Sequence, residues 1–174
     1  MLLNPLVSIA INNFLSSFIK LFSIELFVVS ESFKQNFIYS LNGKSIKIAK
    51  CLCGGIKMKV KGKLADVINC HCSQCRKTNG NYGAYTNCPE ENVTFISKKT
   101  LKWYRSSTFA KRGFCSRCGA SMLYKLLKSK ELDIAAGMFN NPTTMKTASN
   151  IFTKDKLDYY ELDLRLPAFE GDNK

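Results

Sequence analysis

The hydrophobic pattern changes character once along the chain. Residues 6–29 are mostly apolar, and the polar positions Ser8, Asn12, Ser16, Lys20 and Ser23 recur at steps of three or four. That is a helical period with one narrow polar stripe and apolar side chains round most of its circumference. Such a helix lies at a membrane interface, crosses a bilayer at a tilt, or packs on a partner. Lys20 and Glu25 interrupt the run and weigh against a span. No basic residue precedes Lys20 and no small-residue cleavage site stands out, so a secretory signal is not expected.

From Ser45 the period becomes two. Ile46 and Ile48 alternate with Lys47 and Ala49, and Ile56, Met58 and Val60 alternate with Lys57, Lys59 and Lys61. These predict strands with one wet face. Residues 67–68, 93–96, 101–105, 120–124 and 132–136 predict further short strands, and residues 73–79 a single helical turn stopped by Gly80. Pro89 and Pro142 sit where a central strand could not, and so mark turns. The expectation is one mainly β domain over 45–171. A helical, apolar N-terminal extension and linker over 1–44 precedes it, and a tail over 172–174 completes the chain. A chain of 174 residues can bury a sizeable core without staples.

Net charge is +13, and its distribution is uneven. Residues 51–154 hold eighteen basic side chains against five acidic ones, whereas residues 155–174 are net acidic. A basic body attracts anions: nucleic acid, acidic lipid or a small anionic substrate. The lysines are scattered and aromatics at stacking spacing are absent. Nucleic acid therefore stands behind the plainer reading of a lysine-rich solvated surface.

Seven of the eight cysteines fall in three clusters: Cys51-Leu52-Cys53-Gly54, Cys70-His71-Cys72-Ser73-Gln74-Cys75 and Cys115-Ser116-Arg117-Cys118-Gly119. Eight is an even number, but a disulfide across one intervening residue would be strained, and a glycine after a ligand pair is metal-knuckle chemistry. Zinc thiolates imply a reducing, cytoplasmic compartment. Zinc takes four ligands at a structural site, and three with one position open at a catalytic one. Pairing the outer clusters gives a closed site of Cys51, Cys53, Cys115 and Cys118. The middle cluster gives an open site of Cys70, Cys72 and Cys75, for two Zn2+ per chain. A plain zinc ribbon pairing Cys72 and Cys75 with Cys115 and Cys118 is the competing partition, and it leaves Cys51, Cys53 and Cys70 without work. Lys50, Lys57, Lys111, Arg112 and Arg117 lie near ligand cysteines and favour the thiolate form. Alternation turns His71, the only histidine, away from Cys70 and Cys72. Cys88, alone before Pro89, reads as a small buried residue.

The segments CLCGGIK, CHCSQCRKTNG and RGFCSRCGAS resemble the three signatures of the glutathione-dependent formaldehyde-activating family. The resemblance runs from about Lys50 to Gly171. It takes in Gly83-Ala84, Tyr104-Arg105-Ser106-Ser107, Gly137-Met138-Phe139 and Leu166-Pro167-Ala168-Phe169-Glu170. It implies a β-tent fold with two zincs, Cys51, Cys53, Cys115 and Cys118 holding the structural one and Cys70, Cys72 and Cys75 the catalytic one. It also implies addition of glutathione to formaldehyde, giving S-(hydroxymethyl)glutathione, which read in reverse is a carbon–sulfur lyase. Two departures stand out. Asn150-Ile151 replaces a His-Ile pair frequent in the family, and Tyr159-Tyr160 stand where a Trp is expected.

Three thiolates make zinc a modest Lewis acid, better suited to capturing a substrate thiol than to generating hydroxide. Glutathione sulfur is therefore expected at the open position, with Arg76, Lys77 and Arg112 as candidates for its carboxylates. Arg112 and its neighbours serve equally as counter-charge for the clustered thiolates. The alternative function is a non-catalytic zinc module of the same fold, binding nucleic acid or protein. Residues 6–29 add a candidate membrane contact, and so peripheral association.

Overall fold

The structure, a computed structural model, describes residues 45–140 and 142–172. The helix expected over 6–29 and the linker to residue 44 lie outside the described residues. What is described is mainly β, as expected for a β-tent. The strands form a three-stranded sheet and a seven-stranded sheet.

The smaller sheet is the one that period-two alternation predicts. β1 (Ile46–Lys50) pairs antiparallel with β2 (Ile56–Lys61), and β2 with β5 (Val93–Lys98). Ile56, Met58 and Val60 point inward and are fully buried, each worth about 1.5–3 kcal/mol of apolar transfer. They meet Met122, Leu123, Leu132, Ile134 and Cys88 of the larger sheet in one cluster, which is the core.

The larger sheet is built from β3 (Val67–Cys70), β4 (Gly83–Pro89), β6 (Leu101–Arg105), β7 (Ala110–Cys115), β8 (Ser121–Leu126), β9 (Glu131–Ala135) and β10 (Thr147–Ile151). Their order is β10-β3-β4-β9-β8-β7-β6, and the pairs are antiparallel except β10 with β3, which run parallel. Register sets two unlike faces. Cys88, Thr86, Leu132, Ile134 and Leu123 face the core. On the other side, Asn87, Asp133, Tyr124, Arg112 and Tyr104 lie directly across from one another over five strands. Cys70 pairs with Gly83, two residues from Tyr85 and four from Asn87, so alternation puts its side chain on that second face.

One helix, α1 (Ser73–Asn79), comes after β3. Cys72 is its N-cap, and Gly80 ends it at φ 87°, the left-handed conformation that glycine adopts at least cost. Helix and stop agree with the sequence reading. β4, β7 and β10 have no counterpart in the sequence pattern. Each carries polar or small residues at positions that the fold nevertheless buries, among them Thr86, Arg112, Gly113, Ser149 and Asn150.

Candidate metal centre

Two turns bring the outer cysteine clusters together. Cys51 and Cys53 lie in the β1–β2 connection, Cys115 ends β7, and Cys118 lies in the β7–β8 turn. Their four Sγ atoms are all within 4.8 Å of one another. Cys51 to Cys53 and Cys53 to Cys115 are each 3.6 Å. A tetrahedron of sulfurs around zinc with bonds of about 2.3 Å has edges of about 3.8 Å, so the spacing suits that ion. Gly54 and Gly119 sit at φ 72° and 73°, which lets each turn close tightly behind its ligand. The Ile56 N–H donates to Cys51 Sγ at 3.3 Å, and Thr100 Oγ1 lies 3.0 Å from Cys115 Sγ. Burial pushes the Cys115 thiol up. The Thr100 hydroxyl and the backbone N–H groups of Cys118 and Arg117 outweigh it and hold the thiol below its ordinary range. Gly55 has a different reason to be glycine. A Cβ there would stand 2.4 Å from Thr100 Oγ1, the group that touches Cys115.

The middle cluster folds round the start of α1. Cys70 ends β3, Cys72 caps the helix, and Cys75 stands in its first turn. Their Sγ atoms also lie within 4.8 Å of one another, and among the described residues no fourth cysteine, histidine or carboxylate joins the group. The Cys75 N–H donates to Cys72 Sγ at 3.4 Å. Hydrogen bonds from the Cys70 and then the Cys75 thiol draw Cys72 down, against the opposing effect of burial, and the Arg112 charge adds to this. Cys70, as donor to Cys72, is raised. The trio thus stabilises a thiolate at its centre, the form in which sulfur ligates metal. All eight cysteines are free of disulfides, and the ribbon pairing is not formed.

The other predicted residues divide. Arg112 is 5% exposed, with Nη2 3.6 Å from Cys75 Sγ and 3.4 Å from Gln74 Oε1. Its guanidinium lies 4.9 Å from the Tyr124 ring, while Nε and Nη1 are buried without a hydrogen-bond partner among the described residues. Burial pulls its pKa down, but the charge and hydrogen bond of Cys75, with Tyr85 and Cys72 adding to them, together more than reverse that. Arg76 is half-buried and Lys77 exposed on the same helix. Cys88 is buried against the core, in keeping with its sequence setting.

His71 turns away from the sulfurs. It is 1% exposed, with Nε2 3.0 Å from Asn150 Oδ1 and Nδ1 2.5 Å from the Tyr160 hydroxyl. Asn150 Oδ1 also accepts from Asn69 Nδ2 at 3.3 Å. An oxygen that already accepts needs a donor from histidine, so Nε2 carries the proton. In the neutral ring Nδ1 then accepts from Tyr160. The two departures from the family pattern, Asn150 and Tyr160, therefore converge on the sole histidine. Each is visible in sequence, but their meeting point is not.

The chain is similar to proteins of known sequence and structure. An uncharacterized lyase of Schizosaccharomyces pombe is 26% identical over 123 residues, which is 70% of this chain and 89% of that protein. A crystal structure of a Rhodobacter sphaeroides protein superposes with a TM-score of 0.45 at 21% identity, covering 70% of this chain and 98% of the other. The family model described as glutathione-dependent formaldehyde-activating enzyme matches residues 47–155, more than half of the chain and a span that holds all seven clustered cysteines. The chain belongs to that family.

Proposed function

We propose that this chain is a lyase-type enzyme of the carbon–sulfur class that joins a thiol to a small aldehyde, glutathione and formaldehyde in the reaction that names the family. The observation that carries this reading is the trio. Three sulfurs converge with no fourth protein ligand among the described residues, one donor short of a closed zinc site. The lyase name of the fission-yeast relative supports the same class. The quartet, with its full complement of donors, reads as structural.

Cys70, Cys72 and Cys75 would hold zinc, which when bound would supply a Lewis-acidic centre able to take a sulfur donor. The chain's own residues do the rest. Arg112 sets a fixed positive charge against Cys75 and offsets the thiolates. Being buried, it serves the sulfurs before it serves a ligand. Arg76 and Lys77 come directly after Cys75 on α1 and are the cations that a glutathione carboxylate would meet.

The addition balances without a further reactant. A bond forms between thiol sulfur and carbonyl carbon, the carbonyl π pair moves to oxygen, and the thiol proton ends there. Nothing leaves and nothing is oxidised. Holding both partners in one site removes the entropic cost of their encounter.

The test is hemithioacetal formation by zinc-loaded protein with glutathione and formaldehyde. The rate should exceed the spontaneous one and fall to it in Cys75→Ser. Wild-type protein no faster than the buffer reaction would overturn the catalytic reading and leave the metal reading standing.

A further inference from the structure

The outward side of the smaller sheet has no part in the chemistry above, and its composition is unusual. Register places Ile46, Ile48 and Lys50 of β1 opposite Lys61, Lys59 and Lys57 of β2. Ala49, Met58 and Phe95 take the core side, so these residues all face out. On β5, Thr94 pairs with Lys59, Ser97 pairs with Lys57, and Ile96 lies at the register shift beside Ser97. Lys50, Lys59, Lys61 and Thr94 are exposed, as are Ile46 at 42% and Ile96 at 49%. No residue of the three strands is Asp or Glu. Among the described residues, none of the four lysines forms a salt bridge.

An isolated domain gains nothing from this arrangement. Like charges directly across a strand pair destabilise it, and Lys50 stands directly across from Lys57. A polyanion laid on the face would relieve that repulsion. The geometry points to this face as a docking surface for an anionic lipid bilayer.

Three observations favour lipid over nucleic acid. The face is a sheet surface whose central row of lysines on β2 is flanked by isoleucines on β1 and β5, so charge reaches headgroup phosphates while exposed apolar side chains enter the interface. It carries no aromatic side chain on which single-stranded bases could stack. The chain also enters this sheet at its edge strand, β1, directly after residues 1–44, whose apolar stretch over 6–29 is the other membrane-seeking feature of the sequence. Stable peripheral binding takes two signals, and an apolar segment with a basic patch supplies both. The proposal is independent of the reaction at the trio.

The test uses the full chain with sedimented vesicles of phosphatidylcholine alone or mixed with phosphatidylserine. Wild type should prefer the anionic vesicles, and added salt should erase the preference. Lys59→Gln with Lys61→Gln should weaken anionic binding, and adding Lys50→Gln and Lys57→Gln should weaken it further, by about fivefold per lysine. Binding to neutral vesicles should stay unchanged. Circular dichroism and metal content establish that both variants fold. A quadruple variant that keeps the wild-type preference overturns the proposal, as does wild type that binds both vesicles equally. Wild type that ignores vesicles but binds duplex DNA overturns it in favour of nucleic acid.

Discussion

At the scale of single residues, the lone histidine shows how a side chain beside a candidate metal site can belong to the scaffold. His71 lies between two of the trio cysteines, yet both its ring nitrogens are taken by Asn150 and Tyr160, and its backbone N–H donates to the Ile151 carbonyl at 2.9 Å. Asn150→Ala would leave the His71 Nε2–H and Asn69 Nδ2 without their acceptor in a buried place. The expected cost is about 1–3 kcal/mol, read as a lowered urea midpoint. Tyr160→Phe removes one bond from a half-buried site and should cost about 1 kcal/mol. Arg112 is expected to act on metal binding more than on the fold. Arg112→Met keeps much of the volume but strips the counter-charge from Cys75. Zinc affinity of the trio should fall about 10- to 100-fold, the usual effect of losing a group that supports a ligand, while the quartet is untouched. A competition titration with a chromophoric chelator would separate the two sites, since only one of two transitions should move.

At the scale of elements, the two cysteine groups do different jobs. The quartet ties the β1–β2 connection to the end of β7, and so joins the small sheet to the large one across the core. The trio gathers one local stretch, the end of β3 and the first turn of α1. Cys118→Ser should therefore unfold the domain, because a structural metal contributes folding free energy directly. Cys75→Ser should keep the sheet signal in circular dichroism and lose one zinc. The same contrast explains what could be read from sequence. Cysteine spacing, glycine stops and the alternation of β2 are local, and they lead to the right elements and the right groups of sulfurs. β7 and β10 carry their reasons elsewhere. Arg112 is buried because Cys75, thirty-seven residues away, needs its charge. Asn150 is buried because β10 runs parallel to β3 and meets His71 there. Pairings between such distant stretches leave no periodic mark on either one.

At the scale of the whole molecule, the two groups differ in the number of sulfur donors, four against three, and that difference sets an order of events. Both groups reach the surface in part, since Cys53 of the quartet is exposed and Cys118 half-buried while Cys70 and Cys72 of the trio are half-buried, but the trio offers a metal one protein donor fewer. A chelator should therefore empty the trio first. The eighth cysteine reports on the core once the quartet metal is lost. Cys88 is 2% exposed, and burial, with the charges of Glu131 and then Asp133, pushes its thiol up to about 11. At about pH 8, roughly three units below that value, only about one part in a thousand is thiolate, the reactive form. Because the shift is upward, this protection holds below about pH 9 and fades only as the pH climbs toward 11. With iodoacetamide and rising chelator at about pH 8, mass spectrometry should show a plateau with Cys70, Cys72 and Cys75 modified. The remaining five thiols should then react together, Cys88 with the quartet, as metal loss opens the core between the sheets. Before chelation, elemental analysis should give two zincs per chain. If Cys88 were alkylated with the trio while the sheet signal persisted, the core would be opening without loss of the quartet metal, and the quartet would not be what holds the two sheets together.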